Sequence, residues 1–173
     1  MPAASNSSSP SRPASRAAGR RPTAAELQLR RVQTEAYLDL MRIHREMERR
    51  TALLFEEVGL TDVTPAQASA LIVLFQARGP MTARALALHL ALSEVTVGRF
   101  VKALEEAGWV ERESDPDDAR AMLIRPTARA YRALPRFIQV SNALLDEAFA
   151  GFSADEVRKI ARTTERLRRN IAR

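Results

Sequence analysis

Apolar residues fall into stripes of helical spacing over most of the chain, broken once by a stretch that reads as two short strands. From Thr23 to Val58 the positions Val32, Ala36, Leu40, Ile43, Met47, Leu54 and Val58 recur at steps of three, four or seven. That spacing predicts one long amphipathic helix, with Arg42, Arg45, Glu46, Arg49 and Arg50 on its other faces. A helix of roughly 30 residues presents more apolar surface than one small core covers, so it is expected to pack on another chain.

Thr64-Pro65-Ala66-Gln67 is a strong second start: Thr64 caps, Pro65 suits the first helical position, and Gln67 completes a capping box. Leu71, Leu74 and Phe75 give that helix its apolar side, and Gly79-Pro80 ends it. Thr82 caps a short third helix with Leu86 and Leu90 inward. A break near Ala91-Leu92 leaves Ser93 as the cap of a fourth helix running to Gly108. In that helix Val97, Val101 and Leu104 point inward, while Thr96, Arg99 and Lys102 lie three apart on a different face. Trp109–Glu113 and Ala121–Arg125 then read as two strands around the turn-rich loop 114–120. Leu134, Ile138, Leu145 and Phe149 form the stripe of a fifth helix, which Pro135 is expected to kink or divide. Ser153-Ala154-Asp155-Glu156 opens a sixth, striped by Val157, Ile160, Thr164, Leu167 and Ile171.

The chain has 173 residues, 46% of them hydrophobic and 28% charged, which suits one ordinary globular domain. It has no Cys, so disulfides, thiolate-ligated zinc, iron–sulfur clusters and a nucleophilic thiol are excluded. His44 and His89 are the only histidines, which disfavours a transition-metal site; His44 and Glu48, one turn apart, read as a simple surface pair. No cofactor, metal or catalytic residue is expected, because the chain has neither a glycine-rich phosphate loop nor a recognisable catalytic setting. No apolar run reaches membrane-spanning length, and the start lacks a leader-like apolar core. We therefore expect a cytoplasmic protein that is not an enzyme and has no membrane partner.

Charge changes the picture locally. The net charge is +6, but residues 1–22 hold Arg12, Arg16, Arg20 and Arg21 with no acid, together with four of the nine prolines. This Ser/Ala/Pro/Arg segment cannot bury enough surface to fold and reads as a disordered basic tail, either solvated or in loose contact with phosphates. The remainder is nearly neutral, and residues 61–127 hold seven basic residues against nine acidic ones. Binding to a polyanion therefore has to come from geometry in that module, with its basic side chains gathered on one face.

Two short helices joined by a tight turn, the second carrying small polar and basic residues, form the helix-turn-helix pattern. A helix entering the major groove needs short side chains near its N-terminus. Arg reads guanine edges there, and hydroxyls reach bases or phosphates. Ser93, Thr96, Arg99 and Lys102 meet that requirement. The hairpin that follows is a wing, with Arg120 near its tip placed to enter a minor groove and Asp118 placed to orient the Arg120 guanidinium. Arg84, early in the third helix, reads equally as a phosphate contact or a solvated charge, and Arg112 reads as a partner for a wing carboxylate.

Leu92-Ser-Glu-Val-Thr-Val-Gly-Arg-Phe-Val-Lys-Ala-Leu-Glu-Glu-Ala-Gly-Trp-Val-Glu-Arg112, followed by Asp115-Pro-Asp-Asp-Ala-Arg120, resembles the MarR family of winged-helix regulators. The resemblance covers roughly residues 30–172, and its most specific element is the wing's Asp118-x-Arg120. It departs from the family at Gly98, where Thr or Ser is usual, and at Pro126-Thr127-Ala128-Arg129-Ala130, where Leu-Thr-x-x-Gly is usual. The resemblance implies a homodimer that regulates nearby genes and is often released by a small aromatic ligand. It also implies an effector pocket where the first two helices meet the reader, for which His44, Met47 and Phe75 are candidates.

The expected fold is mainly α: a winged helix-turn-helix with a small β-hairpin wing and an α-helical dimerisation region. Residues 1–22 are the tail, 61–127 the DNA-binding module, and 23–60 with 128–173 the dimerisation region. The expected function is a sequence-specific, double-stranded-DNA-binding transcriptional repressor, homodimeric on a pseudo-palindrome. The competing reading is a winged helix used only for protein contact, in which Arg99 and Arg120 would be dispensable.

Overall fold

The structure, a computed structural model, describes residues 21–77, 79–116, 118 and 121–172. Of the basic tail only Arg21 and Pro22 fall among them, and Arg120 lies outside them. The chain order is α1 (Ala24–Glu57), α2 (Pro65–Gln76), β1 (Met81–Thr82), α3 (Ala83–Leu90), α4 (Glu94–Glu106), β2 (Val110–Ser114), β3 (Met122–Pro126), α5 (Ala128–Ala148) and α6 (Ala154–Ile171).

The chain divides at Arg42–Ile43 into two units. The first contains α1 up to Arg42, where Leu27, Leu29, Val32, Tyr37, Leu38, Leu40 and Met41 are all exposed. The second holds everything from Ile43 onward, including the core. Leu54, Phe55, Leu60, Leu71, Leu74, Leu86, Val97, Val101, Leu104, Trp109, Val110 and Ile124 are buried there, joined by Ala130, Ala133, Phe137 and Val140 of α5. At its centre Phe137 meets Phe55 and Trp109 edge-on, each ring centroid 5.7 Å away. Such edge-to-face pairs match the negative face of one ring with the positive rim of another.

The expected helix starts hold in detail. Thr64 accepts from the Gln67 N–H at 3.2 Å while the Gln67 side chain accepts from the Thr64 N–H at 2.9 Å, closing the capping box. Ser153 and Glu156 close a second box at the start of α6. Thr82 and Ser93 cap α3 and α4. The turn between those helices runs through Ala91 in the left-handed region (φ 52°), a conformation in which a Cβ is strained.

Two features differ from the sequence expectation. The sheet has three antiparallel strands in the order β1-β3-β2, since Met81 and Thr82 pair with Ile124 and Leu123 of β3. A two-residue strand carries no periodicity, and Thr82 reads simply as a cap. Pro135 does not divide α5, which runs unbroken through it. A proline removes one backbone donor, whereas Ala130, Ala133, Phe137 and Val140 anchor the helix to the core on both sides of it. α6 has no buried residue at all, and Ile160, Leu167 and Ile171 are exposed along it. Among the described residues no helix is long and apolar enough to cross a membrane, and no cluster of side chains suited to a metal ion occurs.

Candidate nucleic-acid interface

α4 is amphipathic in the sense a reading helix requires. Val97, Val101 and Leu104 are buried on one side, which leaves the side through Val95, Arg99 and Lys102 exposed. Ser93 is foremost a cap: its Oγ accepts the Thr96 N–H at 3.1 Å and lies 2.8 Å from the Thr96 hydroxyl. The two hydroxyls therefore engage each other, and Thr96 is half-buried. Arg99 is exposed and has no carboxylate partner among the described residues. Arg84 is likewise exposed and unpaired on α3, which packs against α4. Lys102 stands 3.9 Å from Glu106 one turn on, a loose pair that water or another anion readily replaces.

The acids of this module are mostly spoken for. Arg112 of β2 bonds Glu105 of α4 and holds that carboxyl below its usual range, chiefly through the hydrogen bond. This corrects the expected wing partner. The reason is register: β2 leaves α4 through the tight turn at Gly108 (φ 73°), which brings strand and helix side chains together. Arg125 of β3 answers Glu111 at 2.9 Å and Glu113 at 3.5 Å across the ladder. The hairpin closes through Asp115 N–H to the Ala121 carbonyl (3.1 Å) and Ala121 N–H to the Asp118 carbonyl (2.8 Å). Asp118 thus shapes the loop through its backbone; its expected partner Arg120 lies outside the described residues.

Val95 was not singled out by sequence reasoning. It is 68% exposed at the second position of α4, one turn before Arg99. At helical spacing a Val is assigned to the core by default, so only its accessibility reveals it.

The residues named for an effector pocket do line cavities. His44 and Met47, with Phe55, Ser69, Phe137 and Leu144, border a largely apolar cavity of about 330 Å³. Phe75 borders a neighbouring one of about 320 Å³ that shares Ile72, Phe137 and Ser141 with the first. His44 Nε2 stands 3.6 Å from the Glu48 carboxylate, as the spacing predicts.

The model of the MarR family matches residues 63–122, the segment from the end of the α1–α2 turn through the first residue of β3. An HTH-type transcriptional regulator of Bacillus subtilis, YcgE, itself uncharacterised, is 33% identical over 113 residues, covering 58% of this chain and 73% of that protein. The chain belongs to the MarR family. Its MarR-type fold is shared with a probable transcriptional regulator from Pseudomonas aeruginosa (27% identity, TM-score 0.60, 72% of this chain and 93% of that one). It is also shared with reduced AbfR, solved bound to DNA (21% identity, TM-score 0.71, 84% and 98%). The sheet of this chain is a small appendage to its mainly helical, winged-helix body. The MarR relatives it matches are transcriptional regulators, and this chain is a transcriptional regulator of that family.

Proposed function

We propose that this regulator is a sequence-specific repressor that binds a pseudo-palindromic operator as a homodimer and is released by a small apolar or aromatic ligand. The observation that carries the reading is the exposed Val95–Arg99–Lys102 face of a capped helix beside a hairpin, with Arg99 free of any carboxylate among the described residues. An Arg left unpaired there pays no ion-pair cost on approaching a guanine edge. Val95 offers a branched apolar surface to a thymine methyl, and Arg84 and Lys102 offer charge to phosphates. Ser93 and Thr96 chiefly shape the helix start, where the partial positive charge also favours phosphate. Arg120 keeps the minor-groove role read from the sequence, with Asp118 supporting the wing.

Homodimerisation is supported by the exposed apolar residues of α1 before Arg42 and by α6, a helix with nothing buried. Two-fold pairing would set the two reading helices roughly 34 Å apart, one turn of DNA. The cavity at His44 and Met47 fits a small ligand in size and polarity. Such a ligand acts only through different affinities for the operator-fitting and non-fitting spacings.

The test is Arg99→Ala measured on an operator recovered by selection from random duplexes. It should lose about 1–3 kcal/mol and relax base preference at one position per half-site. A uniform loss on every sequence would make Arg99 a phosphate contact, and unchanged binding would favour a protein-contact role for the module.

A further inference from the structure

Trp109, the chain's single tryptophan, borders a third cavity, of about 180 Å³, whose lining includes three arginines. Its walls are the Gly59-Leu60 turn after α1, Trp109 at the root of the wing, and Arg129, Arg132 and Arg136 of α5. The three arginines are spaced three and four apart, so one helix face presents all of them.

Their states differ. Arg129 is committed: it donates to Asp62 at 2.6 Å and to the Ala107 carbonyl, and its guanidinium lies 4.1 Å from the centre of the Trp109 ring. Asp62 therefore neutralises Arg129. Arg132 and Arg136 have no carboxylate or other hydrogen-bond partner among the described residues, although they stand one turn apart with like charge. Arg136 also sits close over the turn, one of its terminal nitrogens 4.0 Å from where a Cβ on Gly59 would lie. The remaining polar group is the indole itself. Trp109 is 2% exposed, and its Nε1 is a buried donor without an acceptor among the described residues.

We propose that this cavity is a binding site for a small multiply charged oxyanion of the phosphate type, taken free from solution. Two unpaired guanidinium forks match the oxygens of such an anion, and it would remove the repulsion between Arg132 and Arg136. Trp109, whose Nε1 is a buried donor without an acceptor among the described residues, lines the same cavity. The volume suits a phosphate-sized group and falls below the range of about 300 Å³ and upward typical of larger organic ligands. The occupant would join the α1–α2 turn, the wing root and α5. This site is independent of the DNA reading, because none of its residues belongs to the proposed reading face.

Because Trp109 is the only tryptophan, its emission and its single indole N–H resonance report this cavity alone. The full chain, without DNA, is titrated with inorganic phosphate at constant ionic strength held with chloride. A saturable emission change accompanied by a shift of the indole resonance is expected. The double variant Arg132→Gln/Arg136→Gln should weaken it by about tenfold or more while leaving the far-ultraviolet circular dichroism unchanged. Arg136→Lys, which keeps the charge and loses the fork, should weaken it less and serves if the double variant fails to fold. No saturable change in the parent chain, an equal change in the variants, or a change produced by duplex DNA and not by phosphate would overturn the proposal.

Discussion

Among the described residues Ala91 is the one non-glycine with a positive φ. It closes α3 at φ 52°, its N–H directed at the Ala87 and Leu88 carbonyls, and it does so without the freedom of glycine. An L-residue in that region gives up roughly 1–2 kcal/mol. Ala91→Gly is therefore expected to raise stability by about 1 kcal/mol in urea unfolding, tempered by the entropy glycine adds to the unfolded chain. An unchanged or lower stability would mean that the neighbouring packing already relieves the strain. Gly98 is the converse case: space around it is open and its helix is regular, so it is a weak point in α4 that the core tolerates. At this scale much was legible from residue type alone. Thr64, Thr82, Ser93 and Ser153 announce their roles because a cap needs a short oxygen-bearing side chain at one defined place. Arg112 and Val95 were not legible. Whether an arginine on a strand faces its hairpin partner or the preceding helix, and whether a valine is covered, depend on neighbours far along the chain.

Among the elements, α5 shows how tertiary anchoring outweighs local propensity. Pro135 is exposed and interior, yet the helix continues because four of its residues, from Ala130 to Val140, are held in the core. Pro135→Ala restores one donor in the register that reaches the Tyr131 carbonyl and is expected to stabilise the fold by about 1–3 kcal/mol, read by urea unfolding. A loss of stability would show that the proline shapes α5 in a way the core requires. The far end of α5 is tied to α1 by a two-pronged pair, Arg50 Nε to Glu147 Oε2 at 2.7 Å and its terminal nitrogen to Oε1 at 2.6 Å. That hydrogen bonding holds the Glu147 carboxyl below its ordinary range. With the folded value lowered, the pair's contribution is complete above the unfolded value of about 4.3 and disappears as pH falls through the lower folded value. Glu147→Gln should accordingly cost stability near neutral pH and progressively less as the medium is acidified. A cost that does not change with pH would assign the pair's effect to packing. The strand β1 was missed because two residues show no alternation, whereas α1 to α6 were visible from their periodicity and caps.

On the scale of the whole molecule, the exposed apolar residues of α1 and α6 are what support the proposed second copy of the chain. Leu167 and Ile171 are exposed on a helix that has nothing buried, an arrangement that a lone chain in water disfavours. Leu167→Asp together with Ile171→Asp should convert a dimer into a monomer in analytical ultracentrifugation. Operator affinity should fall by about a hundredfold or more, because the two half-sites then bind without being linked. A dimer that survives both changes would place the interface on other surfaces. The helical, winged architecture is legible because each element except β1 signals itself locally. The proposed pairing of two chains rests, in the sequence, only on an excess of apolar surface, and the Arg132–Arg136 cavity is not legible there at all, since three positively charged side chains on a helix read as solvated until the turn at Gly59 and the indole of Trp109 are placed beside them.

The central claim, sequence-specific DNA binding by this reader, is tested most directly by fluorescence anisotropy. The full chain is titrated onto labelled DNA from upstream of its own gene and onto a duplex selected from a random pool, each with excess unrelated DNA and at several salt concentrations. The account predicts binding that survives the competitor on at least one of the two and weakens with salt in proportion to the phosphates contacted. Binding that the competitor abolishes on both duplexes would contradict it.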